Sequence, residues 1–306
     1  MTRMELPQRT ARGITLIVAA SFLTALQDVV FKWLSDQLTL GQIFTLRALI
    51  TLPLFIALAA WQSSIKAVLS ELSHKWLLLR SFFITLLFVA FYSAIPLVNL
   101  SVLGAGTYTA PIWVSLLTAW WLKERVGGVK LMALALGFIG VLIMLAPGTE
   151  AFSPWAALPV AGALFYAVAL VTTRSRCQGL SLLGMALALQ LMMLLAGIIA
   201  SLIPLISDTE TQLAISYPYL FAGWSPIDAS GWAILGLLAV FTILIGMGVA
   251  GAYQATTPPT VATFEYSYLI FAAAWDALLF NSPPDIRAVG GMALIVVAGL
   301  LVLRRQ

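Results

Sequence analysis

The stretch TVATFEYSYLIFAAAWDALLF, residues 260–280, is long and apolar enough to cross a lipid bilayer as a helix, yet it contains the acids Glu265 and Asp276. A charged side chain inside a bilayer is costly, and acids found there usually face the interior of a helix bundle or a water-filled cavity. The segment therefore predicts a membrane-embedded helical fold with an internal polar site that contains Glu265.

The composition of the whole chain agrees with a membrane protein. Hydrophobic residues make up 61% of the 306 residues and charged residues 9%, whereas soluble domains contain about 45–50% apolar and about 25% charged residues. Cys177 and His74 are the single cysteine and the single histidine, so neither an internal disulfide nor a cysteine-based metal site is expected. The basic residues are scattered singly along the chain, so a nucleic-acid partner is not expected.

Apolar runs between polar breaks predict ten transmembrane helices, because continuous Leu, Ala, Val and Ile runs favour helices over a β-barrel. The predicted spans are 13–33, 41–61, 76–98, 100–121, 128–147, 155–175, 181–204, 229–252, 258–280 and 286–303. If the N-terminus is cytoplasmic, most of the 16 Lys and Arg residues lie on the cytoplasmic side, and only Lys32 and Arg287 lie outside. We therefore predict an all-α integral membrane protein with both termini in the cytoplasm.

Two parts of the sequence resemble each other. The segment AGTYTAPIWVSLLTAWWLKER, residues 105–125, can be aligned with the opening stretch, which places Trp113 on Tyr268. The spans that follow these two segments also align, and they place Gly140 on Gly299. The sequence therefore indicates an internal repeat.

The repeat predicts how the spans are oriented in the bilayer. Each predicted half contains five spans, which is an odd number, so the two halves would have opposite orientations, as in many secondary transporters. We therefore predict two inverted five-helix repeats, residues 1–150 and 151–306, which together form one membrane domain.

The paired segments also resemble a known family. APIWVSLLTAWWLKERVGG (residues 110–128) and FEYSYLIFAAAWDALLF (residues 264–280) are similar to segments of the drug/metabolite transporter superfamily, specifically its EamA-type ten-helix exporters. Arg47, near the start of the second span, is similar to an arginine common in that family. The resemblance runs from about residue 13 to residue 303. It implies alternating-access export of amino acids or similar metabolites, including aromatic amino acids, across a bacterial inner membrane.

Three charged residues in the first two spans form one candidate site. Asp28 and Lys32 are four residues apart and share a helix face, with Ser21 and Thr24 nearby on it. Arg47 enters the second span from the outside, at a depth similar to that of Asp28. We expect a charge cluster in the outer half of the membrane, which is either a structural ion pair between the two spans or an external gate.

Glu265 is the main candidate for substrate binding. No cation lies near it in the sequence, and a carboxylate in a hydrated cavity is a plausible proton acceptor or partner for a substrate ammonium group. The structural alternative is a protonated or hydrogen-bonded glutamate that braces the entry to its helix. Asp276, further along the same helix face, is expected to be solvated near the outer surface.

Aromatic side chains complete the candidate substrate site. A buried phenol needs a hydrogen-bond partner, so tyrosines away from the membrane interfaces are expected to face the cavity, and Trp113 joins them through its alignment with Tyr268. The predicted substrate-binding residues are Tyr92, Trp113, Tyr166, Tyr253, Glu265 and Tyr268.

Together these features predict a secondary transporter that resides in the lipid bilayer as a monomer and exports small metabolites. One alternative is a broad drug/metabolite efflux carrier, and another is a membrane receptor or structural protein that transports nothing. An enzyme is not expected, because the sequence contains no His-containing cluster with catalytic spacing. No cofactor and no metal is expected, and no nucleotide-binding loop pattern occurs.

Overall fold

The computed structural model describes residues 5–62, 65–121, 123, 128–145, 153–206, 215–256, 261 and 264–303. Within these residues the chain is helical and contains no strand, which confirms the predicted all-α class for the described part. The helices are α1 (Glu5–Leu34), α2 (Leu40–Gln62), α3 (Ile65–Glu71), α4 (Lys75–Ala94), α5 (Leu100–Thr107), α6 (Ala110–Trp121), α7 (Gly128–Leu145), α8 (Ala157–Arg176), α9 (Leu182–Ile206), α10 (Pro218–Phe221), α11 (Ala229–Ala255), α12 (Ser267–Leu279) and α13 (Ile286–Leu303).

Seven helical segments in the described part of the chain are long and apolar enough to cross a membrane. They coincide with the predicted spans one to four and six to eight. Three shorter apolar helices, Ala135–Leu145, Ser267–Leu279 and Ile286–Ala298, fall within the other three predicted spans. The membrane-protein prediction therefore agrees with the structure, while the count of ten spans stays a prediction.

Two predicted spans differ from the helices that form. The span predicted over 100–121 is divided into α5 and α6, with a turn at Tyr108 and Thr109 between them. The span predicted from residue 258 contains α12, which begins only at Ser267, and residues 257–260 lie outside the described part. Glycines in α5 and Pro111 in the first turn of α6 account for the first difference, because both residue types weaken a continuous helix.

The chain forms two compact units. Unit one consists of Met1–Val29, Leu97–Val160 and Phe241–Gln306, and unit two consists of Val30–Pro96 and Ala161–Val240. Each unit takes segments from both halves of the chain. The boundaries of the two units therefore differ from those of the predicted repeats, residues 1–150 and 151–306. The inverted symmetry of the repeats stays a prediction.

In unit one, α7 packs against α13 and α5 against α12. The first of these contacts depends on two glycines. A Cβ atom placed on Gly140 would lie 2.7 Å from the carbonyl oxygen of Gly291, and one on Gly291 would lie 2.6 Å from the carbonyl oxygen of Gly140. Small residues let helix backbones approach closely in a bilayer, where packing is a main source of helix association.

We expect Gly291→Ala to lower the free energy of unfolding by about 1–3 kcal/mol, because the added methyl group must push two backbones apart. The matched control is Gly290→Ala, on the same helix, where an added Cβ meets no atom within 4 Å. Thermal unfolding in detergent measures both variants. Equal melting temperatures for the two variants would contradict the close glycine contact.

In unit two, α2 and α4 pack against α9, and an aromatic cluster lies beside them. The ring of Tyr92 stacks on Phe31 with centroids 3.9 Å apart, and it meets Phe44 edge-on at 5.9 Å. All three residues are almost completely buried. Aromatic pairs of this kind add to the stability gained from burial alone, so the cluster is a packing centre of this unit.

Candidate functional site

A small cavity lies within unit one, between α1, α11, the turn after α5 and the segment before α12. Its volume is about 60 Å³, and one water molecule occupies about 30 Å³ of liquid water. In this conformation the cavity admits a few water molecules and is too small for a larger organic molecule. The lining residues are Ile17, Ala20, Ser21, Thr24, Tyr108, Val249, Glu265 and Tyr268.

Glu265 is the acid that lines this cavity. It lies two residues before α12, and its side chain is partly buried. Within the described part of the chain, no hydrogen bond and no ion pair to the Glu265 carboxylate is found. Glu265 therefore lies at a small cavity with polar lining residues, and its role in substrate binding stays a prediction.

The backbone at Glu265 is held by side chains from two other segments. The Tyr108 hydroxyl donates a hydrogen bond to the Glu265 carbonyl oxygen at 2.7 Å, and the Ser21 hydroxyl donates to the same oxygen at 3.4 Å. Since this carbonyl lies before the first turn of α12, side chains provide the donors that a continuous helix would otherwise supply. The two bonds fix the position of Glu265 at the edge of the cavity.

Tyr268 connects the cavity to Asp28. Its ring is packed against Gly104, where an added Cβ would lie 2.5 Å from the ring, and its hydroxyl donates a hydrogen bond of 2.7 Å to Asp28. Both Tyr268 and Asp28 are buried. The sequence assigned Tyr268 to the substrate site and Asp28 to a charge cluster, and the structure brings these two residues together.

Tyr108 is a lining residue that the sequence reasoning missed. Besides its bond to Glu265, its ring packs against Tyr266 with centroids 5.0 Å apart and against Tyr268 at 6.1 Å. A signal for it exists in the sequence: Tyr108 lies between glycine-rich α5 and Pro111, where a helix break is expected. Non-helical backbone at membrane depth is tolerated where it is buried in protein or lines a water-filled cavity, and discontinuous helices form the binding sites of many transporters.

Two of the predicted tyrosines lie in unit two, and the side chain of a third is not among those described. Tyr92 belongs to the aromatic cluster of unit two, and Tyr166, in α8 of the same unit, is partly buried near Arg80. The side chain of Tyr253 lies outside the described residues. Trp113, in α6 of unit one, is not among the residues that line the cavity, and its indole N–H is buried without an acceptor in the described part of the chain.

The predicted charge cluster is divided between the two units. Asp28 accepts the Tyr268 hydrogen bond in unit one. Lys32 and Arg47 belong to unit two, where the Arg47 guanidinium lies over the Phe31 ring, 5.1 Å from its centroid. An ion pair or an external gate formed by Asp28, Lys32 and Arg47 stays a prediction.

Asp276 corrects an expectation. The sequence placed it in solvent near the outer surface, whereas the side chain is completely buried in unit one. Its two carboxylate oxygens accept hydrogen bonds from the backbone N–H groups of Leu100 and Ser101, at 2.9 and 2.8 Å. Asn99 precedes α5 and makes no side-chain cap itself. Asp276 therefore caps the N-terminus of α5 from another helix, where a negative charge is favourable.

Comparison with known proteins shows similarity to transporters. Residues 11–146 match the model of the EamA-like transporter family. A riboflavin transporter of Brucella anthropi is 25% identical over 202 residues, which cover 66% of each chain. A pseudopaline exporter of Pseudomonas aeruginosa is 26% identical over 302 residues, or 96% of each chain. One solved crystal structure has a TM-score of 0.59 at 16% identity, covering 97% of this chain and 96% of that one, which shows a similar fold.

These findings show that the chain is similar to membrane transporters, and the stretch that matches the EamA-like transporter family is less than half of the 306 residues. The two relatives are named as a transporter and an exporter of a small molecule. The comparisons therefore agree with the coarse part of the sequence-based prediction. They do not support an amino-acid substrate, because the names of these relatives specify riboflavin and pseudopaline.

Proposed function

We propose that the chain is a secondary transporter that moves small metabolites across the bacterial inner membrane by alternating access. In this proposal, ten helices form two inverted five-helix repeats with both termini in the cytoplasm, and the protein acts as a monomer. Support comes from the family match, from the seven long apolar helices and from the three shorter apolar helices within the other predicted spans. The repeat seen in the sequence supports the inverted arrangement.

The observation that carries the proposed site is the position of Glu265. An acid in an apolar segment lines a cavity whose other polar groups are the hydroxyls of Ser21, Thr24, Tyr108 and Tyr268. Hydroxyl groups and a carboxylate together suit a proton, water or a substrate ammonium group. We assign Glu265 the role of binding one of these during the transport cycle.

The volume of the cavity indicates that the structure shows a closed arrangement of the site. About 60 Å³ is far below the roughly 300–1,000 Å³ of pockets that bind small organic molecules. A substrate would therefore require an opening at this site, as alternating access provides. Tyr92, Trp113, Tyr166 and Tyr253 stay sequence-based predictions of substrate contacts.

The substrate class is a small organic metabolite. Amino acids, including aromatic ones, remain the specific prediction from the sequence resemblance, and the relatives add riboflavin and pseudopaline as candidates to compare. One of these relatives is named a transporter, without a direction, and the other is named an exporter. Export is therefore part of the proposal and must be measured.

A counterflow assay tests the proposed function. The purified protein is placed in liposomes loaded with one unlabelled compound, and entry of the same labelled compound is followed without ATP. The panel contains aromatic, aliphatic and cationic amino acids together with riboflavin. We expect saturable counterflow of at least one compound above protein-free liposomes. Absence of counterflow for the whole panel would contradict the proposed substrate class. For a compound that does give counterflow, changes of the inside and outside pH show whether its transport is coupled to protons.

A further inference from the structure

Within the described residues, Arg80 of unit two forms no ion pair with an acid. It lies in α4, five residues after the helix begins, and therefore about 8 Å along the helix axis. Its Nε–H group donates a hydrogen bond of 3.0 Å to the Thr173 hydroxyl on α8, and that hydroxyl donates to the Ala169 carbonyl oxygen at 2.7 Å. Thr173 is thereby fixed as an acceptor, and one edge of the guanidinium group is held in place.

One terminal nitrogen of the guanidinium group, Nη1, has no acceptor among the described residues. Nη1 of Arg80 is buried and makes no hydrogen bond within the described part of the chain. No acid among the described residues of unit two forms an ion pair with Arg80. Glu71 accepts hydrogen bonds from the backbone N–H and hydroxyl of Ser181, Asp36 is exposed, and Asp228 is held by Ser230 and Gly231.

Further cations gather at the same end of α4 and α8. The Lys75 ammonium and the Arg176 guanidinium both lie over the Trp76 ring, 5.6 and 5.1 Å from its centroid. Arg174 is exposed in the last turn of α8. The basic residues that are scattered singly in the sequence therefore form a local group in the fold. We name Lys75, Arg80, Arg174 and Arg176 the α4/α8 basic cluster.

The cysteine beside Arg80 does not neutralise this cluster. Burial raises the pKa of the Cys177 thiol, and the positive charge of Arg80 acts in the opposite direction but is the smaller of the two effects. The thiol therefore stays neutral at physiological pH. A partly buried guanidinium group with a covered, unsatisfied N–H loses hydration without gaining a counterion, which is unfavourable unless an anion binds there.

We propose that the α4/α8 basic cluster binds an oxyanion, a carboxylate or a phosphate, with Arg80 as its central donor. The guanidinium group matches both anions because its planar donors can form paired hydrogen bonds with two oxygen atoms. Two sources share this chemistry. One is the phosphate of an anionic phospholipid, since basic clusters at the ends of membrane helices attract such headgroups, and the other is a soluble carboxylate or phosphate compound.

Thermal unfolding of the delipidated, detergent-purified full chain tests this proposal. Sodium acetate, sodium phosphate and phosphatidylglycerol are added in separate series, with sodium chloride at equal ionic strength and phosphatidylcholine as blanks. A ligand that binds only the folded state raises the melting temperature. We expect a rise with at least one anion, its loss in Arg80→Gln, and its retention in Arg287→Gln, which removes an exposed cation of unit one that lies outside the cluster. The series that produces the rise identifies the source.

Arg80→Lys keeps the test informative if Arg80→Gln does not fold. Lysine retains the charge but lacks the planar pair of donors, so we expect a smaller rise than in the wild type. No rise with any of the three anions, or an equal rise in wild type and in the Arg80 variants, would overturn the proposal. Transport activity is not part of the readout, so this test is independent of the proposed function.

Discussion

Replacement of Asp276 by alanine is expected to lower the free energy of unfolding by about 3–6 kcal/mol, because two hydrogen bonds to a charged group are lost. The N–H groups of Leu100 and Ser101 would remain buried without acceptors. Burial of these N–H groups keeps water from replacing the lost acceptor, so each group loses its hydrogen bond outright. Thermal unfolding in detergent, followed by size-exclusion chromatography, measures the loss.

A graded series separates capping from a general effect of removing an acid. Asp276→Asn keeps one oxygen acceptor and is expected to be intermediate. Asp285→Ala is the control, since Asp285 is exposed and caps α13 through one hydrogen bond to Ala288, at 2.7 Å. Loss of such a cap costs about 1 kcal/mol. Similar stability of Asp276→Ala and Asp285→Ala would show that the buried carboxylate does not hold α5.

Replacement of Glu265 by glutamine is expected to reduce transport at least tenfold, which corresponds to about 1.4 kcal/mol of lost interaction. Glutamine has nearly the same size and can keep hydrogen bonds, but it neither takes up a proton near neutral pH nor pairs with an ammonium group by charge. The counterflow assay, with whichever compound gives a signal, measures the rate. Folding should be little affected, because the contacts of the Glu265 backbone oxygen do not involve its side chain.

The matched control for this variant is Asp36→Asn. Asp36 is an exposed acid in the turn after α1, so loss of its charge should leave transport unchanged. Full transport by Glu265→Gln, with its pH dependence intact, would remove Glu265 from the proposed mechanism. Equal losses in both variants would indicate a general effect of charge and would also contradict the assigned role.

The helical class and the positions of the long spans could be predicted from the sequence, because apolar runs of membrane length are a local property. The breaks were harder to locate. Tyr108 and Thr109 interrupt a run that is apolar on both sides, so hydropathy alone does not reveal the turn. Hydropathy alone also does not reveal the start of α12, because this helix begins at Ser267, well inside the apolar stretch of residues 260–280.

The functions of individual polar residues depended on contacts that no local pattern contains. Asp276 caps α5 across 176 and 175 positions of sequence, so its burial could not be inferred from its place near a helix end. Gly140 meets Gly291 in the fold, whereas the internal repeat aligns it with Gly299. The distribution of Lys and Arg placed Arg80 and Arg176 on the cytoplasmic side, but it gave no indication that Arg80 would be held by Thr173.

Part of the cavity lining was noted from the sequence, while its role in transport stays a prediction. Glu265, Ser21, Thr24 and Tyr268 line the cavity; the sequence placed Glu265 and Tyr268 in the substrate site, but it noted Ser21 and Thr24 only as neighbours of Asp28 and Lys32. Tyr108 was missed, and the partner of Asp28 was not foreseen. Hydrogen bonds between distant helices, such as that from Tyr268 to Asp28, require the fold to be known.

Cysteine labelling tests most directly whether Glu265 faces a hydrated cavity. Replacement of Cys177, the single cysteine, by serine gives a cysteine-free protein. Single cysteines are then introduced as Glu265→Cys, Ser21→Cys and Ile270→Cys. Ile270 is the control, because it is 67% exposed on α12 and is expected to face lipid. With a small hydrophilic thiol reagent applied to protein in liposomes, we predict modification at positions 265 and 21 and protection at position 270. Modification at 270 with protection at 265 and 21 would contradict the account.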